Sequence, residues 1–155
     1  MTFDPGVVQA YRLLGYENRD IADEQFHDDT VEAGAIGAGH AATALYALRL
    51  SGEGRDGDRL GELRLRWIDP DTRRAEEAAL DVRLGDLSTD FRETAASFRL
   101  DALVAAAAEV FRESRWAVDY SIRDVADVAY HAGLPRDEQT DDFLRLLGEA
   151  AELGR

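Results

Sequence analysis

Three side chains near the front of the chain could do acid–base or metal chemistry together: His40, which follows Gly37-Ala-Gly39, and the adjacent carboxylates Asp28 and Asp29. An imidazole oriented by a carboxylate serves as a general base, and a His with two carboxylates is a minimal ligand set for a divalent ion. The competing use is structural, with His40 donating to a loop carbonyl or carboxylate and so fixing the loop's course. Tyr16 followed by Glu17-Asn18-Arg19 poses the same choice, between recognition of a peptide and an ion-paired strand end that ties the loop down. His131, two residues before Gly133, reads as a helix C-terminal cap favoured by the dipole, and His27 is the weakest of the three histidines. The structural use is the one adopted throughout. No catalytic residue, metal ligand or cofactor is assigned, and Tyr16, Glu17, Asn18, Arg19, Asp28, Asp29, Gly37, Gly39 and His40 stand as candidates for an interaction or structural loop.

Other chemistries are removed by what the chain lacks. It has no cysteine, so disulfides, thiolate zinc sites and cysteine nucleophiles are excluded, and no lysine, so neither is a Schiff base available. Gly34 to Gly39 has neither the dinucleotide-binding fingerprint nor a phosphate loop, no Gly-x-Ser-x-Gly elbow is present, and the acidic run from Asp20 lacks the spacing and glycine of a calcium-binding EF-hand. A formal charge of −14 repels phosphate backbones and anionic lipid surfaces, so nucleic acid is not expected as a partner. No apolar run approaches the ~20 residues that span a bilayer, so membrane insertion is not expected either.

The elements that must position these residues change type part-way along the chain. Val7 to Tyr16 reads as a strand after the Asp4-Pro-Gly turn; Glu17 to Gly39 shows no sustained period; Ala41 to Leu50 is apolar on both faces, as a central strand would be. Leu63, Leu65 and Trp67 alternate with Glu62, Arg64 and Arg66, predicting a strand with one buried and one solvated face. Asp69-Pro-Asp-Thr then turns the chain into Glu76 to Leu84, completing an antiparallel hairpin. From Ser88 the period becomes helical. The first helix is capped by Ser88 or Thr89, carries Phe91, Ala95, Phe98, Leu100, Leu103, Val104, Ala107 and Phe111 inward, and ends near Ser114. A second opens at Ser121 with Asp124 in a capping box and buries Ile122, Val125, Ala126 and Ala129, and Gly133-Leu-Pro stops it. A third opens at Thr140 or Asp141 with Phe143, Leu146, Leu147 and Ala150 inward. The fold class is α+β: an antiparallel sheet or small β-sandwich over residues 5–85, then a three-helix unit over 88–153. The expected division is 1–87, holding the long loop 17–40, and 88–155, sharing its core.

The residues Tyr11-Arg-Leu-Leu-Gly-Tyr-Glu-Asn-Arg19, Asp28-Asp29, Ala33-Gly-Ala-Ile-Gly-Ala-Gly-His40, Thr43-Ala-Leu-Tyr46, Ser88-Thr-Asp-Phe-Arg and Leu144-Arg-Leu-Leu carry a resemblance over nearly the whole chain. It resembles the C-terminal domain of bacterial von Willebrand factor type A (VWA) domain proteins, a domain without an assigned activity. The resemblance implies an upstream VWA domain in the same polypeptide, Met1 as an imposed start, and any targeting signal, to the cell envelope for example, upstream of it. The function it points to is a non-catalytic accessory module that supports the VWA domain or binds a partner protein. One alternative is a metal-binding or metal-dependent hydrolytic module built on His40 with Asp28 and Asp29. Another is an envelope carbohydrate- or peptide-binding sandwich using Tyr11, Tyr16 and Tyr46. A chain beginning here is also expected to self-associate as a homodimer through the exposed sheet edge of Val7 to Tyr16.

Overall fold

The computed structural model describes residues 1–15 and 41–154. Among the described residues five strands precede three helices, so the chain is α+β, and it divides into two compact units, Met1–Leu87 and Ser88–Arg155.

In the first unit, strand β2 (Val8–Leu14) pairs antiparallel with β3 (Leu45–Leu50), and a separate antiparallel sheet runs in the order β1 (Thr2–Phe3), β4 (Arg59–Ile68), β5 (Ala75–Arg83). The expected hairpin is present, with Leu63 opposite Leu80, Leu65 opposite Ala78 and Trp67 opposite Glu76. Asp69 builds its turn: the carboxylate accepts from the amides of Asp71 at 3.0 Å and Thr72 at 2.6 Å, while Arg73 takes a left-handed φ of 58°. Those hydrogen bonds, the one from Thr72 foremost, hold the Asp69 carboxyl below its ordinary value. A small cluster of Val7, Val8 and Leu60, with Phe3, Leu48, Val82 and Leu84 packed around it, forms the unit's core.

Two expectations about burial fail here. Leu63, Leu65 and Trp67 were to face a core, yet all three are exposed, Leu65 by 55%. The core is confined to the end of the sheet where Phe3 and Val82 meet Gly61, and from Leu63 outward none of this unit's described residues covers that face. Ala41 to Leu50 was to be a central strand, yet only Leu45–Leu50 is extended, with β2 its one neighbour among the described residues. Apolar residues on both faces reflect composition, and composition does not dictate how many strands lie alongside.

The helical unit has the larger core. Leu103 and Ala107 of α1 (Ala96–Phe111), Ile122, Val125, Ala126 and Ala129 of α2 (Ile122–His131), Ala132, and Leu147 and Ala150 of α3 (Glu138–Glu152) are buried together. Each fully buried Leu or Ile contributes about 1.5–3 kcal/mol of transfer free energy. All four side chains expected inward on α2 are buried, and its start is as read: Ser121 Oγ accepts from the Asp124 amide while Asp124 Oδ2 accepts from the Ser121 amide at 2.7 Å. Gly133, at φ 59°, follows the Ala132 C-cap.

The other two helices start elsewhere than expected. Ser88 and Thr89 do not cap α1. Asp90 caps a single 3-10 turn, Phe91–Glu93, through the Arg92 amide at 2.8 Å, and α1 begins only at Ala96. Phe98, Val104 and Phe111 are exposed, because the inward stripe of α1 is narrower than its apolar stripe and centres on Leu103 and Ala107. Helix α1 ends at Phe111, three residues short of Ser114, where Glu113 turns left-handed at φ 54°. Helix α3 begins at Glu138 because Asp137 accepts from the Thr140 amide at 2.8 Å, and this makes Thr140 a first-turn residue, only 1% exposed, while Leu146 faces outward.

Candidate functional site

The loop candidates Tyr16, Glu17, Asn18, Arg19, Asp28, Asp29, Gly37, Gly39 and His40 lie outside the described residues, as does the whole stretch 16–40. Tyr11 and Tyr46 are described. The β2–β3 register puts them on one face, and both rings lean onto Phe3, with centroids at 4.7 and 5.4 Å and interplanar angles of 44° and 74°. Tilted and edge-on contacts of this kind are packing geometry. His131 behaves as read: Nδ1 lies 2.8 Å from the Asp127 carbonyl, which can only accept, within the last turn of α2.

A concave surface large enough to hold a ligand fragment sits where β1 meets β4. It is a cleft of about 410 Å³ lined by Thr2, Phe3, Asp4, Pro5, Arg59, Gly61, Glu62 and Arg64. Local sequence explains its shape. A side chain at Gly61 would bring Cβ to 2.4 Å from the Thr2 carbonyl oxygen, so only glycine lets β1 pair here. Across the cleft, Arg59 and Arg64 both ion-pair with Glu62, and Arg59 reaches Asp81 at 2.8 Å. The Arg64 guanidinium beside Glu62 holds that carboxyl below the usual carboxylate range, and Glu62 in return raises Arg64.

Charge decides what this cleft can do. Two guanidiniums face two carboxylates, Glu62 and Asp81, so no net positive field remains for an anion. A carboxylate held deprotonated by two arginines is also a poor proton acceptor at neutral pH. Asp4 is engaged in its own turn, accepting from the Gly6 amide at 2.8 Å. The arrangement orders a sheet surface.

Two polar groups in the helical unit are tied into its frame. Arg99 donates to the carbonyls of Arg92, Thr94 and Gly133, the last at 2.9 Å, so one guanidinium clasps the turn before α1 to the loop after α2. Glu109 is buried beside the Arg112 guanidinium. Among the described residues no group of three or more His, Cys, Asp or Glu side chains is placed to hold a metal ion, and no helix is long and apolar enough to cross a membrane. Sequence reasoning passed over the arginine–carboxylate cluster because Glu62, Arg64 and Arg66 read only as a solvated strand face. Oppositely charged residues two apart on one strand were the available signal.

Residues 1–153 match the family model described as "Uncharacterized protein YfbK, C-terminal". The chain belongs to this YfbK C-terminal family. It is also similar to "Uncharacterized protein YfbK" of Escherichia coli (strain K12), with 45% identity over 58 residues, a stretch that makes up 37% of this chain and 10% of that protein. No solved structure matches. The family match covers both units, so β strands and helices together constitute the YfbK C-terminal region.

Proposed function

We propose that this chain is a non-catalytic accessory module of a longer VWA-domain polypeptide, and that the bare apolar face of the β4–β5 hairpin is where it meets the VWA domain. One observation carries the reading: Leu63, Leu65, Trp67 and Leu80 share one face of a regular hairpin and are all exposed, in a chain of net charge −14. A contiguous apolar face of this kind marks an interaction site more often than a catalytic one. The non-catalytic part is supported by how the polar groups are used, since Glu62, Asp69, Asp90, Asp124 and Asp137 are each engaged in caps, turns or ion pairs. Membership in a family defined as the C-terminal part of a larger protein fits the same role.

The test is titration of the chain with the VWA domain from the same polypeptide, followed by calorimetry and by Trp67 fluorescence. Linked domains work at effective concentrations near the millimolar range, so saturable binding with a dissociation constant below about 1 mM is expected, weakened by Leu65→Asp. No binding at that concentration, or binding indifferent to Leu65→Asp, overturns the proposal.

A further inference from the structure

Strand β5 is the outer strand of its sheet. Among the described residues β4 is its one neighbour, and every β5 residue except Val82 is exposed. Such an edge presents a row of backbone donors and acceptors to any strand of matching sequence. We infer that the matching strand is β5 of a second copy, paired antiparallel about Leu80 and extending the three-stranded sheet to six. The inference concerns the backbone edge of the sheet, and it shares only Leu80 with the face proposed for the VWA domain.

Among registers that overlap most of β5, its sequence favours one. Directly opposed residues of antiparallel strands point to the same side, so a twofold axis keeps the two apolar faces together only if it passes through a residue. Centring on Asp81 opposes two carboxylates. Centring on Ala79 sets Glu77 against Asp81 twice, and centring on Ala78 sets Glu76 against Leu80. Centring on Leu80 sets Leu80 against its counterpart, Ala78 against Val82, and Glu77 against Arg83 on both sides of the axis. Apolar meets apolar, and opposite charges meet twice.

The groups this register needs are in place. Arg83 is exposed, and the hydrogen bond from its guanidinium to the Gly57 carbonyl, at 2.8 Å, uses one of five N–H donors. Leu80 is 62% exposed and gains an apolar neighbour. The other strands with room at an edge lack the pattern. β2 carries a single charge, Arg12, and β3 a single charge, Arg49, so neither can pair unlike charges with a copy of itself. This differs from self-association through Val7 to Tyr16.

Sedimentation equilibrium of the 155-residue chain over a concentration series tests the inference. Glu77→Arg and Arg83→Glu are each expected to raise the dimer dissociation constant about tenfold or more, since each turns two attractive contacts into two repulsive ones. Mixing the two variants restores unlike pairs at both contacts, so the mixture is expected to form a heterodimer that neither variant forms alone. Circular dichroism identifies a variant that has lost its fold. Because the chain has no cysteine, a second measurement is available that leaves the charges alone: Leu80→Cys, which faces its own copy, should oxidise to a covalent dimer far faster than Ala78→Cys, which faces Val82. A chain monomeric throughout the series, a mixture no more associated than its components, or equal cross-linking at positions 78 and 80 would each overturn it.

Discussion

The two units are built to different standards of closure. In the helical unit nine apolar residues from three helices and the Ala132 turn are buried against one another, with Leu147 at 0% exposure. In the β unit the buried cluster among the described residues is Val7, Val8 and Leu60, while a regular hairpin holds Leu65 and Leu80 out in the open. Both units have good local geometry. What separates them is whether an apolar face finds a second face: the three helices fold back on each other, whereas the distal half of a long hairpin extends past the elements that cover its base.

Substitutions can break or sharpen this contrast. The largest effect is expected for Leu147→Ala, which opens a cavity in the sealed core and should lower unfolding free energy by about 3–4 kcal/mol in denaturant titrations of the whole chain. Leu65→Ala removes the same atoms from the open face and should change it by less than about 0.5 kcal/mol. Equal losses would mean that the hairpin face is covered in solution, and the contrast would be lost.

Gly61→Ala comes next. The added Cβ meets backbone at β1, not the tip of a flexible side chain, so a loss of about 2 kcal/mol is expected, and faster hydrogen exchange at the Asp4 amide, which donates to Leu60, would place that loss in β1. Wild-type exchange at that amide would show that β1 adds little to the unit's closure.

A smaller effect, about 1 kcal/mol, is expected for Ser121→Ala, which removes the α2 cap. This variant also carries a pH signature. Asp124 is held below its ordinary carboxyl value, first by the Ser121 hydroxyl and then by its amide, so the folded chain binds that proton less readily than the unfolded one. Its contribution is therefore present above the unfolded value near 4 and lost as pH falls through the lower folded value. The stability difference between wild type and Ser121→Ala should accordingly narrow as pH drops from about 5 toward 2. A difference constant over that window would separate the cap from the charge.

The parts of the fold legible in the sequence were those set by neighbouring residues. The β4–β5 hairpin, the Ser121 capping box, the inward face of α2 and the His131 contact all depend on groups within a few positions of each other. Burial in the β unit was not legible, because alternation reveals that a strand has an apolar face and is silent on whether anything covers it. The start of α3 was misread for a related reason: Asp137 and Thr140 are both acceptable caps, and the side chain buried by the rest of the core decided between them. Of the candidate site, the loop residues Tyr16 to Asp29 and Gly37 to His40 fall outside the described residues, while the cleft at β1 depends on bringing Thr2 to Gly61, a pairing across some sixty positions that no local pattern announces.

The turn at Asp69 has a consequence in time as well as in space. Its hydrogen bonds join residues at most five apart, and the strands it connects pair from Ile68 with Ala75 outward, so loop closure costs little and the hairpin can form on the order of 1–10 μs. The sealed helical core needs three segments spread from Leu103 to Ala150 and must assemble later in the chain's emergence, N-terminus first, from the ribosome. The segment with the barest apolar surface is thus the earliest to take shape. During synthesis it presents Leu65, Trp67 and Leu80 to solvent before α3 has been made.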